Sequence, residues 1–150
     1  MAAGAGAEPW GNFPVLHFRE LTTRDGLPND TISTVAQDKA GLIWIGTFAG
    51  IARYDGYRLH QWESDPDDVD RLPEIYVRAL LPLSDGGMLI GMGAAGLARY
   101  HPDTDGFERL TTADGPGTRI YAMMPARDAH GDAAWIAADE IGRASCRERV

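Results

Sequence analysis

The chain has 150 residues, 14 Lys and Arg against 22 Asp and Glu, a formal charge of −8 and a single cysteine, Cys146. An acidic chain without clustered Lys or Arg lacks the cationic surface that neutralises phosphates, which argues against nucleic acid as a partner, and one cysteine excludes a disulfide framework. The length is that of one ordinary domain, a hydrophobic content of 44% suffices for a packed core, and the apolar runs are too short to cross a bilayer as helices.

Residues 1–12 read as a leader, either the remnant of a signal peptide or a disordered small-residue tail. Ala5-Gly6-Ala7 has the small-residue pattern that precedes a secretory cleavage site, but no charged or apolar region stands in front of it. From residue 13 the chain is organised by repetition. The segment Leu21-Thr22-Thr23-Arg24-Asp25-Gly26 returns as Leu110-Thr111-Thr112-Ala113-Asp114-Gly115. Between these, Ile32 to Gln37 alternates with β-branched residues, Asp38-Lys39-Ala40-Gly41 reads as a turn, and Leu42 to Thr47 is a short apolar strand. Ala49-Gly50 turns the chain, and Ile51 to Tyr54 and Tyr57 to Trp62 flank Asp55-Gly56, a dipeptide suited to a two-residue hairpin. That makes four strands in the first unit.

The second unit follows the same plan. Met88 to Tyr100 repeats Leu42 to Tyr54, and the Gly-aliphatic-Ala-Arg-Tyr cores, at Gly50 and Gly96, lie 46 residues apart. Its turn Asp85-Gly86-Gly87 and the longer His101 to Gly106 segment predict a wider outer hairpin. A third unit begins where Ile120-Tyr121-Ala122-Met123-Met124-Pro125 mirrors Val77-Arg78-Ala79-Leu80-Leu81-Pro82, with Trp135-Ile136-Ala137 in the place of Trp44-Ile45-Gly46. A period in the mid-forties with turns inside each unit marks propeller blades, not helical solenoids, and no stretch keeps a helical apolar period for three turns. The expected fold is therefore all-β: a partial β-propeller over residues 13–139, of about two and a half four-stranded blades near 32–62, 75–110 and 118–139, incomplete at the C-terminus. Residues 140–150 read as an adapter-derived tail, since Ile141 to Val150 back-translates naturally into a short-read sequencing adapter. Setting aside 141–150 removes three Arg, one Glu and Cys146, and leaves a charge of −10. An open arc of blades exposes strand edges and apolar faces, so the isolated chain is expected to be marginally stable or prone to aggregate.

No catalytic, cofactor-binding or metal-binding residue can be assigned. Gly91-Met92-Gly93-Ala94-Ala95-Gly96 has the spacing of a dinucleotide-binding turn, but Leu97 to Tyr100 runs into His101-Pro102 and leaves no room for the required helix, so a tight turn between blade strands accounts better for the glycines. Asp65-Pro66-Asp67-Asp68-Val69-Asp70 and Asp103-Thr104-Asp105-Gly106 could offer carboxylates to calcium, which takes roughly six to eight oxygens, but neither run carries a downstream Glu, and Asp, Gly and Pro also build solvent-facing turns. His17, His60, His101 and His130 are dispersed, and Ser33, Ser64 and Ser84 lie in no nucleophile turn. Trp44 with Trp135, and Tyr54 with Tyr100, occupy equivalent positions, which favours packing between blades. Residues that differ between units, such as Phe48 against Ala94-Ala95, are better places to seek ligand specificity; the ligand-binding residues themselves stay open.

The first unit resembles the two-component regulator propeller repeats. The match is Gln37-Asp38, Gly41, Trp44, Gly46-Thr47, Gly50-Ile51 and Tyr54-Asp55, with Thr22 and Asp25-Gly26-Leu27-Pro28 upstream. The second unit departs from that pattern with Leu89, Met92 and His101 in place of Trp, Thr and Asp. The resemblance implies the ligand-sensing extracytoplasmic input part of a bacterial two-component or diguanylate cyclase receptor. The remaining blades and an output kinase or cyclase would lie elsewhere, and the sensor part of an inner-membrane protein would sit in the periplasm. It further implies a small-molecule or glycan ligand, a receptor dimer, no cofactor and no enzymatic activity in this part. A propeller-fold lyase or hydrolase, or a protein-interaction scaffold, are the alternatives.

Overall fold

Runs rich in β-branched and aromatic residues, punctuated by glycine turns, form strands along the whole chain. The computed structural model describes residues 18–62, 64, 65, 67, 68, 71–110, 118–128, 131–138, 148 and 149. Strands β1 (Ile32–Gln37), β2 (Ile43–Thr47), β3 (Gly50–Tyr54) and β4 (Leu59–Trp62) form one antiparallel sheet in chain order, and β5 (Val77–Pro82), β6 (Met88–Met92), β7 (Leu97–His101) and β8 (Gly106–Leu110) form a second. The third sheet pairs β9 (Ile120–Asp128) with β10 (Gly131–Ala138), and a two-residue strand β11 (Glu148–Arg149) lies along the free edge of β10. An open edge offers unpaired amides and carbonyls to any extended segment, so this pairing is indifferent to the origin of residues 140–150. The first strands β1, β5 and β9 contact one another in series, so the three sheets stand as successive blades of a partial β-propeller. Among the described residues the only helical turn is a short 3-10 turn, Thr23–Asp25, and no helix is long and apolar enough to cross a membrane.

One turn differs in detail from the expected one, and the wider second hairpin is as expected. The first hairpin tip is Gly56-Tyr57, one residue later than expected: the Asp55 amide bonds the Arg58 carbonyl, while the Asp55 carboxylate accepts the amides of Tyr57 and Arg58 at 2.7 and 2.6 Å. Aspartate's short acceptor closes the turn in place of a backbone carbonyl, and Gly56 takes the positive φ of 96°. In the second blade Tyr100 pairs with Phe107 where Tyr54 pairs with Leu59, so that hairpin is two residues wider.

The motif residues of the first unit each close a local bond. Asp38 accepts the Trp44 indole N–H at 2.8 Å and the Leu42 amide at 2.9 Å, so one carboxylate joins the turn to the core tryptophan. The buried Thr47 hydroxyl donates to the Gly50 carbonyl and accepts the Ala49 amide, holding the tight β2–β3 turn. Gly46 and Gly91 have a different duty. A Cβ on Gly46 would stand 2.6 Å from Thr34 Cγ2 and 2.7 Å from Val77 Cγ1, and one on Gly91 would stand 2.6 Å from Ile120 Cγ2. Each glycine therefore receives the first residue of the next blade's inner strand.

Alternation along each strand gives every blade two faces. The front carries Val35, Ile45, Ala52 and Tyr54 in the first blade and Leu80, Ile90, Ala98 and Tyr100 in the second; the back carries Trp44, Ile51 and Arg53, then Leu89, Leu97 and Arg99. The back of blade one packs on the front of blade two around Trp44, Ile51, Leu80, Ile90 and Tyr100, and the back of blade two on the front of blade three around Leu89, Leu97, Ile120 and Ile136. The front of blade one is covered in part by Leu21 and Leu27 of the segment that precedes it. Trp44 and Trp135 share a register position, but their surroundings differ. Trp44 is 1% exposed because blade two covers it, whereas Trp135, on the back of the last sheet, is 51% exposed. Packing between blades thus holds for Trp44, and no described residue supplies it for Trp135.

Arg53 locks the first two blades. Its guanidinium lies 5.4 Å from the Trp44 ring, 5.1 Å from Trp62 and 5.8 Å from Tyr100, and donates to the Tyr100 hydroxyl at 2.8 Å. Tyr100 in turn donates to Asp105 at 2.6 Å. Burial, and then the bond to Asp105, raise the Tyr100 hydroxyl above the ordinary phenol value of 10.0.

Overpacking a close-packed contact costs about 1–3 kcal/mol. Gly46→Ala and Gly91→Ala should each lower stability by that amount in urea denaturation; an unchanged midpoint would show that the blades can move apart freely. A group whose folded-state value is raised contributes stability that is complete below its unfolded value and lost as pH rises through the folded one. Stability should therefore fall above pH 10 through Tyr100, and Tyr100→Phe should cost about 1–2 kcal/mol at neutral pH and flatten the alkaline decline in a thermal melt.

Candidate functional site

The chemistry-bearing residues singled out in the sequence are mostly taken up by the fold. The Gly91 to Gly96 run is the end of β6 and the β6–β7 turn, and a strand follows it, not a helix. Gly91 receives Ile120, Gly96 takes a φ of 79°, and a Cβ on Gly93 would meet the Glu74 carboxylate at 2.9 Å and the Tyr76 ring at 3.0 Å. The amides of Ala94 and Ala95, which a phosphate would need, donate to Glu74 at 2.6 and 2.8 Å. The loop thus binds a carboxylate of its own chain.

The aspartate runs are likewise engaged. Asp65 accepts the Asp67 amide, Asp68 pairs with Arg71 at 3.2 Å, and Asp105 sits between Tyr100 and His60, 3.7 Å from the latter. Asp70 lies outside the described residues, as do Pro66, Val69, His17, His130 and Cys146. No described group of three His, Cys, Asp or Glu is placed to hold a metal. His101 bonds Glu108 at 2.8 Å, Ser33 donates to the Val77 carbonyl, Ser64 donates to the Leu72 carbonyl, and the Ser84 carbonyl accepts from Lys39. Two exposed arginines, Arg19 and Arg58, border a cavity of about 260 Å³ with Asp25, Tyr54 and Tyr57 on the front of blade one. Arg19 bonds the Tyr54 hydroxyl, and the two aspartates of this region, Asp25 and Asp55, are held below the usual carboxylate range by the amides they accept, from Thr22 and from Arg58 and Tyr57.

A different constellation appears where the inner strands begin. In all three blades the inner strand carries a bulge at the same place, between Ile32 and Thr34, Val77 and Ala79, and Ile120 and Ala122. The extra residues are Ser33, Arg78 and Tyr121. A bulge re-aims its side chain out of the regular alternation, which frees these positions from the packing that keeps their neighbours small or aliphatic. Arg78 lies 4.6 Å from the Tyr76 ring and 4.9 Å from Tyr121, and Tyr76 in turn packs on Phe48 at 4.5 Å. Phe48 sits in the β2–β3 turn, at the same end of the sheets as the starts of β5 and β9, because β2 runs back toward the start of β1. A row of Phe48, Tyr76, Arg78 and Tyr121 therefore crosses all three blades, with Phe48 46% and Tyr121 48% exposed.

Phe48 was visible in the sequence as a departure between units. Arg78 and Tyr121 carry the same signal, since the aligned inner strands read Ile-Ser-Thr, Val-Arg-Ala and Ile-Tyr-Ala. Their meeting depends on the bulge, which no residue pattern marks.

Residues 26–49 match the family described as Two component regulator propeller. The similarity covers one such repeat, 24 of the 150 residues. Within those matched residues fall Asp38, Trp44, Gly46 and Thr47, the residues that close the turn, fill the blade interface and admit the next blade. A curated relative, Histidine kinase P4 of Formosa agariphila, is 33% identical over 51 residues, which is 34% of this chain and 4% of the relative. The extracellular domain of the hybrid two component system BT3049 from B. thetaiotaomicron has the same fold, with a TM-score of 0.67 at 19% identity over 79% of this chain and 17% of that one. The extracellular domain of BT4673 from the same organism gives 0.62 at 24% identity over 79% and 16%. The chain thus spans a small part of each of these relatives.

Glu74 tethers the β6–β7 turn beside Tyr76. Glu74→Ala should cost about 1 kcal/mol, because water can replace part of the lost bonds, and should speed hydrogen exchange at the Ala94 and Ala95 amides while leaving Leu89 to Met92 protected. Unchanged exchange at those two amides would show that the carboxylate does not hold the turn.

Proposed function

We propose that this chain is part of the ligand-sensing, extracytoplasmic input region of a bacterial two-component or diguanylate cyclase receptor, located in the periplasm and belonging to an inner-membrane protein. The observation that carries this reading is the propeller repeat at residues 26–49, whose motif residues serve blade packing and turn closure and leave the chemistry to positions where the blades differ. The fold shared with extracellular domains of hybrid two component systems supports it. The remaining blades of the receptor, a small-molecule or glycan ligand and a second receptor copy are its partners. In this reading the part has no catalytic role, and its described carboxylates Asp25, Asp38, Asp55, Glu74 and Asp85 engage backbone amides.

The mechanism follows from the row of bulge residues. A ligand that touches side chains from neighbouring blades interacts differently with two relative positions of those blades, and only such differential contact can shift an equilibrium and be transmitted. Reading the genomic locus downstream of the codon for residue 138 tests the assignment. Further propeller repeats, a membrane-crossing helix and a kinase or cyclase domain are expected. A locus that ends in a lyase or hydrolase constellation, with no membrane helix, would overturn it.

A further inference from the structure

The arginines on the strands of these blades have partners of different kinds. Arg53 donates to Tyr100 and Arg99 pairs with Asp85. Arg78 has aromatic faces alone: no described residue accepts a hydrogen bond from it or forms an ion pair with it, and its Nε is buried without a partner. Its terminal nitrogens are not among the buried unpartnered atoms and therefore reach solvent. A half-buried cation held between two tyrosine rings, in a chain of net charge −8, has lost part of its hydration without gaining a counter-charge. Burial of a charge is tolerated when an opposite charge meets it. The planar guanidinium presents parallel donors that match a carboxylate two-to-two.

We infer that the row Phe48, Tyr76, Arg78 and Tyr121 is a recognition site for a small organic carboxylate with a ring-shaped or flat apolar body. The carboxylate would bridge the terminal nitrogens of Arg78, and the body would lie along the exposed faces of Phe48 or Tyr121. The tyrosines on either side keep the guanidinium oriented, so little rotamer freedom is lost on binding. The site uses residues from all three blades: Phe48 from the first, Tyr76 and Arg78 from the second, Tyr121 from the third. Glu74 accepts the Ala94 and Ala95 amides through Oε2 and forms no described ion pair with Arg78.

This names the ligand class for the sensor reading above and rests on it, but its test is independent of it. The full chain is titrated with benzoate, with its uncharged isostere benzamide, and with acetate, at constant ionic strength and up to about 20 mM, following by NMR the backbone amides of Phe48 and Tyr121 in every variant and, where Arg78 is present, its side-chain Nε–H resonance. Benzoate should shift these resonances saturably, benzamide should not, and acetate should bind at least about tenfold more weakly for want of the ring. Arg78→Gln should abolish benzoate binding, Arg78→Lys should weaken it about tenfold, and Phe48→Ala or Tyr121→Ala should weaken benzoate more than acetate. The Gly46 and Gly91 amide resonances report that each variant keeps its blade contacts. Equal binding of benzoate and benzamide, benzoate binding that survives Arg78→Gln, or no shift at the highest concentration would each overturn the inference. Arg78-dependent binding from a locus without receptor domains would leave this site standing and remove the sensor reading; a receptor locus without carboxylate binding would do the reverse.

Discussion

The spacing between neighbouring sheets is governed by two positions that have no side chain. Val77 presses on Gly46 and Ile120 on Gly91 at separations where even a methyl group would collide. Because β1, β5 and β9 can come this close, the apolar faces behind them meet over their full width, and the tryptophan, isoleucine and leucine side chains of one back face reach the next front face. The same approach brings the bulge residues within reach of one another, so that a side chain from blade two lies on a ring from blade three. In the third sheet the corresponding register position is Ala137, paired with Ala122 and exposed. An alanine is tolerated where nothing described presses on it.

Above that spacing, polar groups decide the orientation. Apolar burial is non-directional, and sheets could slide on it, whereas Arg53 beside Trp44 and Trp62, bonded to Tyr100 and through it to Asp105, joins four strands of two blades in one arrangement. Blade two repeats the arginine but not the lock: Arg99 turns to Asp85 on its own sheet. The amides of Gly87 and the Arg99 charge hold Asp85 below the ordinary carboxylate value of 3.8, against the opposing effect of burial. A carboxylate of that kind contributes stability above its unfolded value and loses it as pH falls through the lower folded one, so the Arg99 link persists through the neutral range. The second interface relies more on leucine and isoleucine packing.

Much of this was readable from residues in line. The blade count, the all-β class and most strand limits follow from the repeat and from period-two alternation, because both are properties of consecutive residues. The hairpin tip at Gly56-Tyr57 was misplaced by one because Asp-Gly is usually the tip itself, and here the aspartate closes the turn from the strand end. The dinucleotide-like glycines were correctly assigned to a turn, yet nothing in the sequence indicated that Glu74 would fill it from twenty residues away. Ser33, Arg78 and Tyr121 stand at aligned positions where alternation predicts an ordinary strand residue. Only three-dimensional pairing shows that they are the supernumerary ones, and only blade stacking shows that two of them touch. Trp135 was expected to be interior by equivalence with Trp44; register was right, but burial depends on a neighbouring sheet and is not a property of the strand.

The division of each blade into unlike front and back faces carries a consequence for assembly. The contact from Trp44 to Tyr100 is heterologous: the surface given by one unit is not the surface it receives. Any run of units joined in this way has a donor face on one side and an acceptor face on the other; among the described residues the donor face of the third sheet carries Trp135 and Met124, and the acceptor face of the first, partly covered by Leu21 and Leu27, carries Val35. Geometry then allows two outcomes. If the rotation per blade divides the circle, the ends satisfy each other and the array terminates itself; if it does not, the same contact propagates from molecule to molecule as a filament. Rotation per blade is set by how closely the inner strands approach, so the two glycines that admit Val77 and Ile120 also govern whether the repeat closes or polymerises.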